Sequence, residues 1–103
     1  MIMNINLNKL LSHLRQSAKK RNLKCTITIS DLNDLSYPIT CPLLDVPIDY
    51  ISRGYGEFKP SIDRIDSNLG YEPENIQVMT VKANRAKNNL SDLELKQMAK
   101  YYS

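Results

Sequence analysis

The chain has 103 residues, 42% apolar and 24% charged, which leaves room for one small domain with one core and argues against disorder along its whole length. No run of about 18 apolar residues occurs, so no membrane-spanning helix is expected; the start Met1-Ile2-Met3-Asn4-Ile5-Asn6 has neither a basic nor an apolar leader region, so a cytoplasmic protein is expected. Cys25 and Cys41 are too few for a disulfide scaffold or a four-cysteine zinc site, and a net charge of +3 permits a polyanionic partner without requiring one.

Leu7, Leu10, Leu11, Leu14 and Ala18 recur at helical spacing and predict an amphipathic helix over 7–22, with Asn6 or Asn8 as its cap. Cys25 to Ile29 is β-branched and alternating and reads as a short strand. Ser30 then offers a cap to a helical turn over Asp31 to Leu35, and Pro38 and Pro42 hold Cys41 in a loop. Val46 to Ile51 reads as a strand and Gly54-Tyr55-Gly56 as a loop. Ser61 to Asp66 alternates with period two, setting Ile62 and Arg64 on one side and Asp63 and Ile65 on the other. Asn68-Leu69-Gly70 supplies a turn, and Asn75 to Met79 is a second strand. Thr80 caps a helix through Lys87 that ends at Asn88-Asn89. Ser91-Asp92-Leu93-Glu94 is a capping box opening a last helix over 91–102, with Leu95, Met98, Ala99 and Tyr102 on one side. The prediction is a single α+β domain spanning 1–103. Its centre is a hairpin and helix over 61–88, and helices at both ends complete the core.

Charge is unevenly placed. Lys9, Arg15, Lys19, Lys20, Arg21 and Lys24 fall in a stretch without an acid, and so do Lys82, Arg85 and Lys87. Each run alone reads as a solvated helix face; two of them beside one candidate site favour nucleic acid. Asp63, Arg64 and Asp66 on the first strand, Asn75 at the second and Asn84 on the helix concentrate the polar residues, and Asp63 and Asn84 offer oxygen ligands of the kind that suits Mg²⁺ or Mn²⁺. Taken by themselves, the same residues serve as turn formers and caps. Tyr50, Tyr55 and Tyr71 are candidates to stack on bases, with packing as the plainer reading. Tyr101 and Tyr102 read as one core and one exposed ring, and both cysteines as free, part-buried thiols.

The run Pro60-Ser61-Ile62-Asp63-Arg64-Ile65-Asp66, then Gly70-Tyr71, Glu74-Asn75-Ile76-Gln77-Val78 and Ala83-Asn84-Arg85-Ala86-Lys87-Asn88, resembles the HNH (His-Me finger) endonucleases, small phage-encoded members above all. Ala18 to Asn22 with Thr26 to Leu32, Cys41 to Ile48, and Leu90 to Glu94 are similar to that family's leading helix, its Cys-Pro turn and its closing helix, so the likeness covers roughly 12–102. The resemblance implies a ββα-metal unit with Asp63 and Asn84 as metal ligands and Asn75 fixing the loop beside the water-activating residue. It places Arg64 where most members carry the histidine that activates water.

A guanidinium stays protonated, so Arg64 is not a general base; it is a fixed cation for the phosphate in the transition state. Water is then activated by the metal, by a substrate phosphate or by an acid such as Asp66. His13, the single histidine, reads as a surface or core-edge residue rather than a substitute base. The zinc that braces many relatives is not expected: the partner of Cys41 would be Leu44, and Met79 and Lys82 stand within the segment of the later pair, so apolar packing replaces it. The expected function is a metal-dependent DNA endonuclease of low sequence selectivity. Lys19, Lys20, Arg21, Lys82, Arg85 and Lys87 would grip the backbone. The alternative is a catalytically impaired module binding DNA or protein; a homodimer, or a phage or host protein partner, is left open.

Overall fold

Asn6 opens the first helix by accepting the Lys9 amide on its side chain at 3.1 Å, and α1 runs Leu7–Lys20. The computed structural model describes residues 5–103, so most of the start read as leaderless lies outside the described residues. α1 stops two residues before its predicted end. Arg21 is the cap, Asn22 adopts φ +55°, and the amides of Leu23 and Asn22 turn back to the carbonyls of Ala18 and Lys19. This is the Schellman closure, with asparagine tolerating the left-handed position. Leu11, Leu14 and Ala18 enter the core.

The predicted strand over 25–29 is replaced by a single parallel bridge, Cys25 to Tyr71, followed by α2 over Ile29–Asp34. Thr28, not Ser30, is the cap. It accepts the Asp31 amide at 3.2 Å while Asp31 accepts the Thr28 amide at 2.8 Å, and this capping box draws Ile29 into the helix. The predicted strand over 46–51 shrinks to one bridge, Thr40 to Pro47, because proline brings no N–H to a ladder. A tight turn precedes it, with Asp45 at φ +54° and the Cys41 amide donating to Val46 at 2.7 Å.

β1 (Pro60–Arg64) and β2 (Ile76–Thr80) pair antiparallel, with Asp63 opposite Gln77 and Arg64 opposite Ile76. β1 ends before Ile65, so Asp66 lies in the connecting turn and not on the strand. Asn75 closes a 3-10 turn, Pro73–Asn75, just before β2. Thr80 ends β2 and caps α3 (Val81–Asn88), its hydroxyl oxygen accepting the Ala83 amide at 3.1 Å. The first two helix amides, Val81 and Lys82, donate to the carbonyls of Lys59 and Glu57, so segment 57–59 straps the start of α3.

α4 (Asp92–Tyr102) has the predicted capping box but buries no residue. Leu93 is 78% exposed, and Tyr101 and Tyr102 are both exposed, stacked edge to face on each other. The expectations that α4 completes the core and that one of these rings is buried are therefore corrected: its caps sustain the helix, and only Leu95 is half-covered. Among the described residues the chain is a small α+β domain of four helices and one two-stranded antiparallel sheet. Its core joins α1, Ile27, Leu32, Cys41, both strands and Ala83. Cys25 and Cys41 are free thiols, Cys41 buried beneath the Thr80 hydroxyl. No helix among the described residues is long and apolar enough to cross a membrane.

The irregular segment 35–50 is fixed by two tyrosines packed edge to face at 6.2 Å. Tyr37 donates to the Leu32 carbonyl at 2.6 Å and Tyr50 to that of Pro38. Burial pushes the Tyr50 hydroxyl up to about 12, with Tyr37 and Cys41 adding to the rise. The folded state therefore holds this proton more tightly than the unfolded chain. Its stabilising contribution is present below the ordinary value of 10.0 and is lost as pH climbs to about 12. A phenolate absorbance titration should show a step near pH 12 that Tyr50→Phe removes; all six tyrosines titrating below that step would refute it.

Candidate functional site

α3 crosses the hairpin and turns Asn84, Lys87 and Asn88, spaced three and four apart, toward β1. Asn84 donates through Nδ2 to Ser61 Oγ at 2.7 Å and to the Ile62 carbonyl at 3.1 Å. A carbonyl only accepts, so the nitrogen must face the strand, and Oδ1 faces outward to accept Asn88 Nδ2 at 2.9 Å. Asp63, 3% exposed, has its Oδ2 held by Lys87 Nζ at 2.6 Å and Gln77 Nε2 at 3.0 Å; Oδ1 has no partner among the described residues. Lys87 also donates to the Arg64 carbonyl at 2.7 Å. Its ammonium is thus turned inward to the carboxylate, away from the phosphate grip expected of it.

Asp63, Arg64 and Asn84 line one cavity of about 290 Å³ whose opposite wall is α1, through Leu10, His13, Ser17 and Arg21. A second cavity of about 540 Å³ shares Arg21, Arg64 and Asn88 with it and reaches the start of α4. Arg64 spans both. Its Nη1 donates to the carbonyls of Ser67 at 2.6 Å and Leu69 at 3.0 Å, and the guanidinium lies over the Tyr71 ring at 5.5 Å.

Asn75 ties the turn between the strands from below. Its Nδ2 donates to the carbonyls of Gly70 at 2.8 Å and Asp66 at 3.1 Å, and its Oδ1 accepts the Asp66 amide at 2.8 Å. Asp66 is exposed, accepts the Asn68 amide at 2.9 Å, and does not line the cavity shared by Asp63 and Asn84. Lys82 and Arg85 lie on another face of α3, over the rings of Phe58 at 5.9 Å and Tyr55 at 5.3 Å. Lys19 and Lys20 are exposed on the last turn of α1. Of the three candidate stacking tyrosines, Tyr50 and Tyr71 are buried and Tyr55 is exposed beneath Arg85.

The structure adds to the cavity three residues that the sequence reading did not place there: His13, Ser17 and Tyr71, the last two joined hydroxyl to hydroxyl at 3.1 Å. The signal was present in α1, where Leu10, His13, Leu14, Ser17 and Arg21 form a single stripe at helical spacing. The cavity chemistry is two hard oxygens, two guanidiniums and one imidazole, suited to a phosphate group with a cation beside it. No protein-family model, curated protein or solved structure gives a significant match to this chain.

Proposed function

We propose that the chain is a divalent-cation-dependent DNA endonuclease of the HNH type, hydrolysing phosphodiester bonds with little sequence preference of its own. The supporting observation is the convergence of Asp63 and Asn84, distant in sequence, on one cavity that Arg64 and Arg21 also line. The donor set fits Mg²⁺ or Mn²⁺: Asp63 Oδ1 is without a partner among the described residues, and Asn84 Oδ1 is covered only by an exposed, exchangeable side chain. Those two oxygens would hold the ion, water and phosphate oxygens completing its shell. A bound ion neutralises charge developing on the phosphate and the leaving oxygen.

The chain's own groups do the positioning. Gln77 and Lys87 fix the Asp63 carboxylate, and Asn75 fixes the 66–70 turn. The turn carbonyls engage only Nη1 of Arg64, which leaves further donors of its fork to meet a phosphate. Lys19, Lys20, Arg21, Lys82 and Arg85 would hold flanking phosphates, contacts that position without specifying sequence. A second reading rests on Arg64 standing where this mechanism is short of a base: a catalytically silent module that binds DNA or protein.

Plasmid nicking separates the two. With Mg²⁺ or Mn²⁺ the wild-type protein should nick, and Asp63→Ala and Asn84→Ala should each abolish nicking while circular dichroism reports a folded chain. Equal, salt-sensitive DNA binding by all three proteins without nicking would establish the module instead. Neither nicking nor DNA binding would leave a protein-binding role.

A further inference from the structure

We infer that His13, from the face of α1 across the cavity, accepts the proton of the attacking water. This rests on the nuclease reading and supplies what that reading lacks. The titratable groups lining the cavity are His13, Arg21, Asp63, Arg64 and Tyr71. The two arginines do not accept protons. The Asp63 carboxylate is engaged by Lys87 and Gln77 and assigned to the cation, and the Tyr71 hydroxyl is paired with Ser17. Asp66 lies outside the cavity wall. The imidazole is left, and it is the side-chain type suited to proton transfer near neutral pH.

Three observations make His13 available. It has no hydrogen-bond partner among the described residues, it is solvent-exposed, and it stands on the stripe of α1 that carries Ser17 and Arg21 into the same cavity. Leu14, in the core, and Leu10, packed against it, flank His13 on that stripe and so fix its place. Its other neighbours line an adjoining cavity: Lys9 on α1, and Asp49, Arg53 and Lys59 from the segment leading into β1. Asp49 is spent on the Ile51 and Ser52 amides, at 3.0 and 2.9 Å.

In the step itself, a water O–H bond breaks and its proton passes to a ring nitrogen of His13. The water oxygen forms the new bond to phosphorus. The bond from phosphorus to the 3′ oxygen breaks, and that oxygen takes a proton from solvent, leaving a 5′ phosphate and a 3′ hydroxyl. Arg64 faces the same phosphate from β1.

The test compares wild type and His13→Ala by plasmid nicking over a range of pH. The substitution is at an exposed helix position, where alanine keeps the helix. Thermal midpoint, DNA affinity and Mn²⁺ affinity should be unchanged, the nicking rate should fall about 10²–10⁴-fold, the acidic limb of the rate profile should vanish, and added imidazole should restore part of the rate. An unchanged rate and profile overturns the inference and leaves the nuclease reading standing. A loss traced to weaker Mn²⁺ affinity, with the profile intact, also overturns it, because His13 would then be a ligand. A wild-type protein that does not nick overturns both.

Discussion

Gly70→Ala is expected to lower the thermal midpoint by on the order of 15 °C, the effect of about 3 kcal/mol on a domain of this size. The cause is a close approach and not a special dihedral angle. A Cβ at position 70 would lie 2.3 Å from the Lys24 carbonyl oxygen and 3.0 Å from its carbonyl carbon. Both are backbone atoms, and they cannot swing aside. The Lys24 carbonyl is itself committed, accepting the Tyr71 amide at 2.9 Å, while the Thr26 amide donates to the Tyr71 carbonyl at 2.9 Å. These two bonds tie the tail of α1 to the turn of the hairpin. Opening them would also unseat Tyr71, the platform under Arg64, and strain the Asn75 bond to the Gly70 carbonyl. Gly56→Ala is the matched control. Its nearest neighbour is Lys59 Cγ at 3.3 Å, on a flexible side chain that can move, so the change should stay within about 0.5 kcal/mol. Thermal unfolding followed by far-ultraviolet circular dichroism measures both. Equal midpoints for the two variants would mean that the approach of Gly70 to Lys24 is looser than described.

That contact shows where reading the sequence stops. Asn68-Leu69-Gly70 is legible as turn chemistry, but nothing local says that the turn must pass over residue 24. The elements that were legible carry their own signals: the stripe of α1, the alternation of β1 and β2, the Thr80 cap and the Ser91 capping box. Those that were not were decided at longer range or by a competing cap. Cys25 to Ile29 has strand composition, yet Thr28 and Asp31 cap a helix there, and Cys25 finds a single partner in Tyr71. The site divides in the same way. Asp63 and Asn84 were paired through the family resemblance, the hairpin-helix pattern by itself reading them as turn and cap residues, and the two line one cavity. His13 reaches the cavity only because Leu11, Leu14 and Ala18 pack α1 into the core, and α4, with an equally plausible apolar side, does not pack. Lys87 read as one more surface cation because sequence does not report that Asp63 is buried beside it.

Lys87→Met should destabilise the protein by about 3 kcal/mol, the lower end of the cost of breaking a buried ion pair. The lower end applies because Asp63 is 3% exposed but Lys87 keeps 17%. Methionine preserves much of the apolar stem, so the loss is that of the ammonium and leaves the carboxylate with Gln77 as its remaining partner. Asp63→Asn combined with Lys87→Met should cost far less than the sum of the single changes, because the second substitution removes the charge the first one stranded. The pair also tests the proposed cation site without any nuclease assay. The Lys87 ammonium already sits at Asp63 Oδ2, so a divalent ion on the same carboxylate binds against its charge. Removing the ammonium should tighten that binding. The midpoint of Lys87→Met should therefore rise more on adding Mg²⁺ or Mn²⁺ to metal-free protein than that of wild type, and that of Asp63→Asn should not rise. If none of the three responds to the metal, while Lys87→Met still shows the stability loss, the carboxylate is a structural partner of the lysine and the nuclease proposal loses its cation.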